Sequence, residues 1–381
     1  MSLYIDLTEF LANPITSGIQ RIAGEICKHL PAGAGIPVRL HAGRYLVLSP
    51  TLMPLIGAYF NDASAPGAAE IRTLSAIERG VAIELSESDI VLVPEVFFDP
   101  QRVRFFQEMP EQQFRRCRFL IHDLLPLTHP EYFWPELLLD LYRYYRMLRD
   151  ASCCGFTSQD TRNAYYGRLK RIDSCGGVML RLGCDALGPR PQQPALNRPL
   201  TFSVLGTIEP RKNHKLILEA FEPLLGQIPG LTLSFIGRIG WVDSEFAQKV
   251  QSLAAEKGSG FRFESAKSDS AIRSYVEQSR ATIYVSTAEG YGLPPVESLW
   301  AGTPVIASTA SPSLRDLGTA GIHYVEPLTA ANLTKAVLDF FDDSYANQKA
   351  EETTDLNLPT WHSFTQEVLE WCTGDCSDNQ R

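Results

Sequence analysis

The sequence predicts an α/β protein made of two doubly wound domains, each built on a parallel sheet. Three features carry this expectation. Short runs of β-branched and aromatic residues are apolar at nearly every position, longer stretches of helical periodicity lie between them, and a polar, proline-rich break at Asp185–Pro199 is followed by the same alternation again. A chain of 381 residues has room for two domains of ordinary size.

In the first half, Leu3–Leu7, Val38–His41, Tyr45–Leu48, Ile90–Val93, Arg118–His122 and Cys153–Thr157 read as strands. Gly18–His29, Pro135–Arg149 and Ser158–Leu169 read as the helices between them. The stretch DALGPRPQQPALNRP, Asp185–Pro199, reads as a linker because its prolines and polar residues suit neither helix nor strand. Beyond it Leu200–Leu205, Leu231–Ile236, Phe261–Phe263, Ala281–Val285 and Pro304–Ala307 read as strands. Lys215–Leu225, Ser244–Lys257, Asp269–Gln278 and Pro295–Ala301 read as helices. Trp361, Phe364, Val368, Leu369 and Trp371 share one face of a last amphipathic helix, followed by a polar tail. The expected domains are 1–190, 191–358 and a C-terminal segment 359–381.

A formal net charge of -9 argues against nucleic acid as the main partner, because phosphate neutralisation needs a basic surface. No apolar run approaches the roughly 20 residues that span a bilayer. The strongest, Ile90–Phe98, is broken by Pro94 and Glu95. The N-terminus MSLYIDLTEF has neither a basic segment nor a long apolar one, so no secretory leader is expected and a cytoplasmic location is. The eight cysteines form no CxxC pair, and Cys372 and Cys376 have no nearby histidine to complete a zinc site. Reduced thiols are expected throughout.

Four segments can carry chemistry. The first is Glu289-Gly-Tyr-Gly-Leu-Pro-Pro-Val-Glu297, between a strand and a helical run. A strand, a glycine turn and a helix start place free backbone N–H groups at the sheet's C-terminal edge, where they attract phosphate or sugar oxygens. Gly290 and Gly292 let the backbone approach a ligand closely. Glu289 on the loop suits sugar hydroxyls, which donate to an acceptor-only carboxylate. Glu297 suits a ribose diol, or is simply an acid favoured near a helix start.

The second is Gly206-Thr-Ile-Glu-Pro-Arg-Lys-Asn-His214, after the strand LTFSVL. Glu209-Pro210 turns the chain, and Arg211 and Lys212 present adjacent cations that suit a diphosphate: the guanidinium as a fork, the ammonium as a point charge. Otherwise they are an ordinary solvated basic turn. The third is Ile121-His122-Asp123-Leu-Leu-Pro-Leu-Thr-His129-Pro130 at a strand end. His122 there can hydrogen-bond a reacting hydroxyl or a phosphate oxygen, or be a structural histidine. The spacing of His122, Asp123 and His129 matches no standard metal site. The fourth is the loop Asn13–Arg21, where Gly18 opens a helix whose amides can meet phosphate and where Ser17 or Thr16 is also a plain N-cap.

Together these residues resemble glycosyltransferase family 4. The Glu289–Glu297 segment looks like the family's E-x7-E motif and is followed by the similar stretch SLWAGTPVIAS. EPRKNH resembles the donor-phosphate turn of mannosyl- and rhamnosyl-type members, and HDLLPLTHP a stretch frequent in polysaccharide-assembly enzymes. The resemblance implies a GT-B fold: two Rossmann-like domains whose parallel sheets face across a cleft, with a C-terminal helix crossing back to the N-domain. It implies a retaining hexosyltransferase using a nucleotide-diphosphate sugar, with a GDP-sugar favoured, and transfer of mannose or a deoxyhexose to a saccharide or lipid-linked acceptor in surface polysaccharide synthesis.

By the same resemblance Glu289 contacts the donor sugar together with Gly290, Tyr291, Gly292 and Leu293, and Glu297 contacts the ribose. Arg211 and Lys212 hold the diphosphate beside Gly206, Gly18 lines the donor-phosphate loop, and His122 stands near the reacting centre. Attack on the sugar occurs from the front face, with charge on the leaving diphosphate stabilised by Arg211 and Lys212. The chain has no Asp-x-Asp motif, so metal-independent transfer without a cofactor is expected.

The N-domain is expected to bind the acceptor. Arg143, Arg146 and Arg149 at helical spacing with tyrosines between them, and the basic stretch Arg162–Arg171, suit an anionic membrane at the inner face of the cell membrane, or are a solvated helix face over core tyrosines. Two other readings stay open: a catalytically silent sugar-nucleotide-binding protein, and a GT-B-fold epimerase or phosphorylase.

Overall fold

The computed structural model describes residues 1–15, 17–61, 67, 69–71, 73, 80–170, 177–265 and 268–374. Thr16, Arg171, Cys175, Cys376 and the tail beyond Gly374, on which expectations above fell, lie outside them. The chain divides into two compact units, Met1–Gly183 with Pro359–Arg381, and Cys184–Leu358.

The first unit has an eight-stranded sheet in the order β4-β3-β2-β1-β5-β6-β7-β8. Its strands are β1 (Leu3–Asp6), β2 (Ile36–His41), β3 (Arg44–Val47), β4 (Val81–Ile83), β5 (Ile90–Val93), β6 (Cys117–Ile121), β7 (Cys154–Phe156) and β8 (Val178–Met179). The strands from β2 through β1 to β8 are parallel, as expected. β3 and β4 are antiparallel, which corrects the expectation of a purely parallel sheet. The cause is local. Two residues, Ala42 and Gly43, join β2 to β3, both with positive φ (48° and 74°), and so short a loop closes a hairpin but cannot make a parallel crossover.

The second unit has six strands, all parallel, in the order β11-β10-β9-β12-β13-β14. They are β9 (Thr201–Leu205), β10 (Thr232–Ile236), β11 (Phe261–Glu264), β12 (Ala281–Tyr284), β13 (Val305–Ala307) and β14 (Ile322–Tyr324). Phe202, Val204, Leu233, Phe235 and Ile283 pack on Ile217, Phe221, Val337 and Phe340 from the flanking helices to form one core. Burial of each such side chain contributes about 1.5–3 kcal/mol.

Each sheet reverses its winding once. In the first unit β1 leads to β2 on one side, and β5, its other neighbour, leads away to β6. In the second, β9 leads to β10 and its neighbour β12 leads away to β13. The C-terminal ends of β1 and β5, and of β9 and β12, are therefore the two topological switch points, where open α/β sheets bind ligands.

The boundary between the units falls at Gly183, ahead of the expected 190. The proline-rich stretch is no free linker, because its own side chains fasten it to the second unit. Arg190 donates to the Leu356 carbonyl (2.9 Å) and Arg198 to the Gly302 carbonyl (3.0 Å), while Trp300 donates to the Gly188 carbonyl (2.8 Å). The helix Trp361–Thr373 belongs to the first unit and packs against the helix Gly18–His29. Thr360 and Ser363 form a capping box at its start, and Trp361, Phe364, Val368 and Trp371 are buried. A Cβ on Gly183 would lie 2.2 Å from the Trp361 backbone nitrogen, so only glycine allows this approach.

Cys27, Cys117, Cys154, Cys184 and Cys372 are buried free thiols. Cys153 is disulfide-bonded, contrary to the expectation of reduced thiols throughout. No helix among the described residues is long and apolar enough to cross a membrane.

Candidate active site

The switch point of the second unit gathers most of the predicted donor-site residues. β9 ends at Gly206 (φ 121°), where a Cβ would stand 2.6 Å from the Lys212 ammonium nitrogen. Lys212 therefore lies directly over the strand end. The turn Pro210–Lys212 is a single 3-10 turn closed by Asn213 in the left-handed conformation (φ 56°). Two hydrogen bonds stitch this turn to the end of β12: Asn213 Nδ2 donates to the Val285 carbonyl (2.8 Å), and the Thr287 N–H donates to the Arg211 carbonyl (2.8 Å).

Arg211 sits between two carboxylates. Its Nη1 lies 2.5 Å from Glu289 Oε2 and its Nη2 lies 2.6 Å from Glu209 Oε1, and Nη1 also donates to the Ala288 carbonyl (3.0 Å). Ser286 Oγ donates to the other oxygen of Glu289 (2.9 Å). Burial works to raise the Glu289 pKa, but the charges of Arg211 and Lys212 and the hydrogen bonds from Arg211 and Ser286 outweigh it and hold it below the usual value. Glu289 is thus an ionised acceptor, facing two cations. Among the described residues no carboxylate forms an ion pair with Lys212.

The loop Gly290–Gly292 is braced by Ser313, whose Oγ donates to the Gly292 carbonyl (2.6 Å) and whose N–H donates to the Tyr291 carbonyl (2.9 Å). Gly292 (φ 92°) caps the helix Leu293–Trp300, whose first N–H groups open at this edge of the sheet. The helix begins at Leu293, so Glu297 lies on its second turn rather than its first, buried, with its charge felt by Tyr284 and Cys184. Glu209 is the residue that sequence reasoning missed. It was read as half of a turn, and its adjacency to Arg211 was the available signal.

Gly18 and His122 belong to the first unit. Gly18 opens its helix after Ser17, whose hydroxyl accepts from the Gln20 N–H (3.2 Å). The Gln20 side chain ties the preceding loop, accepting from Ile15 N–H (2.5 Å) and donating to the Asn13 carbonyl (3.0 Å). His122 follows β6 and is buried, with Nε2 donating to the Pro94 carbonyl (2.6 Å). Burial lowers its pKa to about 4 against the opposing hydrogen bond, so the ring is neutral near pH 7 and Nδ1 is an unpartnered acceptor. Such an atom can take a hydrogen bond from a hydroxyl. As an acceptor it suits a hydroxyl better than a phosphate oxygen.

Among the described residues no three His, Cys, Asp or Glu side chains come together as a metal site. A pocket of about 370 Å³ lies elsewhere in the second unit, at the N-terminal ends of β10 and β11, beside Pro229, Glu256 and Arg262. It is at the opposite edge of the sheet from the Arg211 cluster.

Two α/β units, the second with a cationic turn and a glycine loop at its switch point, give the chain the GT-B fold class of its structural neighbours. Residues 190–355 match the family Glycosyl transferases group 1. The chain is similar to the serotype-specific mannosyltransferase WbdA of Escherichia coli, 24% identical over 270 residues that cover 66% of this chain and 33% of that protein. It is also similar to O-antigen chain mannosyltransferase B of Escherichia coli, 26% identical over 212 residues, 53% of this chain and 55% of that one. The chain thus spans about a third of the length of WbdA. Among solved structures it resembles Anabaena Alr3699/HepE in complex with UDP, with a TM-score of 0.66 at 14% identity over 97% of this chain and 99% of that one. Sucrose-phosphate synthase from Thermosynechococcus elongatus gives a TM-score of 0.61 at 14% identity, covering 97% of each chain.

Proposed function

We propose that the chain is a retaining glycosyltransferase. It moves mannose or a deoxyhexose from a nucleoside-diphosphate sugar, preferentially a GDP-sugar, to a saccharide or lipid-linked saccharide in surface polysaccharide synthesis. The observation that carries this is the Lys212 ammonium poised over Gly206, beside a carboxylate already paired with Arg211. Lys212 and Arg211 are placed to stabilise charge on a departing diphosphate, and Glu289 to grip sugar hydroxyls. No divalent ion is needed in this scheme, so activity persists in EDTA.

The test is calorimetric titration with UDP, GDP, dTDP and their sugars, followed by incubation of the tightest donor with mannoside acceptors and NMR reading of the new anomeric centre. GDP-mannose bound selectively, and transferred with its α-configuration kept, supports the reading. Binding without transfer or donor hydrolysis overturns it.

The proposal extends to peripheral contact with an anionic membrane. On the helix Pro135–Arg149, Leu139 and Tyr142 are 74% and 60% exposed, and Arg143, Arg146 and Arg149 share that exposed side. Apolar residues between arginines suit a lipid interface. Failure to sediment with phosphatidylglycerol vesicles at low salt would remove this part.

A further inference from the structure

The edge of the second unit's sheet carries a pattern that the donor cluster does not use. β11 is the last strand on its side: among the described residues it pairs with β10 and with no other strand. An open edge is a template for pairing with another chain, and proteins blunt it with a lysine, a proline or a bulge. β11 reads Phe-Arg-Phe-Glu and runs in unbroken register with β10, so it has none of these. Its charges, Arg262 and Glu264, are of opposite sign and two residues apart.

The ladder fixes which backbone groups face outward. The Leu233 N–H donates to the Gly260 carbonyl (2.9 Å) and the Gly237 N–H to the Glu264 carbonyl (2.8 Å), so Gly260, Arg262 and Glu264 turn their backbone groups to β10. Phe261 and Phe263 turn theirs to the open side. The Phe261 N–H is taken, donating to Ser259 Oγ (3.2 Å). That leaves Phe263, with an N–H and a carbonyl side by side on the edge, to exchange two hydrogen bonds with a new strand. The side chains alternate likewise. Phe261 and Phe263 point into the core. Arg262 and Glu264 share the other face, where the Tyr275 hydroxyl donates to Glu264 Oε2 and feels the charge of Arg262. Arg262 is exposed and Glu264 half-buried.

Antiparallel pairing of β11 with a second copy, about a two-fold axis through Phe263, satisfies both patterns at once. Phe263 and its symmetry mate exchange N–H···O=C bonds, and Arg262 falls opposite Glu264 of the second copy, twice. These are non-hydrogen-bonded positions, whose Cβ atoms lie about 4.5–5.5 Å apart, within reach of an ion pair. An axis through Arg262 or Glu264 sets like charges against each other and needs backbone groups already bound to β10. An axis through Phe261 sets Arg262 and Glu264 against glycines, Gly260 and Gly258.

We propose that the chain self-associates through this edge, joining the six-stranded sheets of two copies into one continuous sheet, with the two Arg262–Glu264 pairs setting the register. Two-fold pairing closes on itself, so the product is a dimer and not a filament. Such a dimer does not depend on the transferase reading, since its axis lies at the edge strand and not at the switch point.

Sedimentation velocity of the full-length protein at low salt, over a series of concentrations, tests this. The wild type should sediment as a dimer. Arg262→Glu leaves two acids on each edge and Glu264→Arg two bases, so either variant alone should raise the dissociation constant about tenfold or more. Mixed in equal amounts, the two should associate as readily as the wild type, because every acid then meets a base. Circular dichroism checks the fold of each, and the double variant carrying Arg262→Glu and Glu264→Arg, which restores both pairs, should dimerise. A wild type that stays monomeric, a dimer that neither single variant weakens, or a mixture no more associated than its components overturns the proposal.

Discussion

Replacing Lys212 by alanine separates binding from folding, because its ammonium pairs with no carboxylate among the described residues and lies over a glycine. A charge-assisted hydrogen bond contributes about 1.5–3 kcal/mol. At about 1.4 kcal/mol per factor of ten, Lys212→Ala should weaken a nucleoside diphosphate by about 12- to 140-fold. Stability should change by no more than about 0.5 kcal/mol, as for a substitution that removes no buried contact. Gly206→Ala tests the same atom from beneath. Its Cβ would stand 2.6 Å from Nζ at a φ of 121°, so the ammonium must move. The two variants should then not add: a double-mutant cycle should give a coupling of about 1 kcal/mol or more. Isothermal titration with GDP and UDP reads the affinities, urea unfolding reads the stability, and the free nucleoside is the control, since it has no phosphate to lose. Unaltered diphosphate affinity in Lys212→Ala, or strict additivity with Gly206→Ala, would refute the placement of Lys212 over a phosphate site.

Glu289→Ala should lower transfer at least about a hundredfold, while Arg211 keeps Glu209 and the fold loses only about 1.5–3 kcal/mol. Because the Glu289 pKa is depressed, its stabilisation is present above the unfolded value and fades as pH falls through the folded one, so urea curves of wild type and variant should converge in acid. His214 is buried on Phe235 with both ring nitrogens unpartnered, and its pKa is lowered to about 3 by burial first and Lys212 second. It stays neutral in the fold while the unfolded chain protonates below about 6.5. His214→Leu should therefore remove about 2 kcal/mol of the stability lost between pH 6.5 and 4.5, and an unchanged pH slope counts against it. Trp361→Ala should destabilise the first unit by about 3–5 kcal/mol, read by far-ultraviolet circular dichroism during urea titration.

Much of this fold was legible because a strand covered on both faces is apolar at every position. β5, IVLV, announces itself that way, and β9, β10 and β12 nearly do, with only serine and threonine among their apolar residues. The short edge strands β4 and β8 do not, since Val81 is 73% exposed and no buried face marks its segment. The antiparallel turn into β3 was written in His-Ala-Gly-Arg, but its meaning lies in loop length rather than hydropathy. In the site, Arg211, Lys212 and Glu289 come together because they follow neighbouring strands β9 and β12, a pairing that strand order fixes and sequence spacing does not. Glu297, expected at the ribose, lies buried on the second turn of the helix that leads away from this loop. Glu209 pairs with Arg211 two residues on, and that short spacing is the one sign of it in a Glu-Pro turn.

The charges at this switch point also decide which cation matters most. Arg211 and Lys212 carry two positive charges, and Glu209 and Glu289 carry two negative ones, so the cluster is formally neutral. Both carboxylates are spent on Arg211, at 2.6 and 2.5 Å, and a phosphate approaching that guanidinium meets two oxygens of its own sign. On the proposed reading, Arg211 would be freed as Glu289 turns from it to a sugar hydroxyl. Lys212 feels the charge of Glu289 but forms no ion pair with a carboxylate among the described residues. A bare nucleoside diphosphate should therefore depend on Lys212 far more than on Arg211, and a nucleotide sugar, which gives Glu289 another partner, should depend on both.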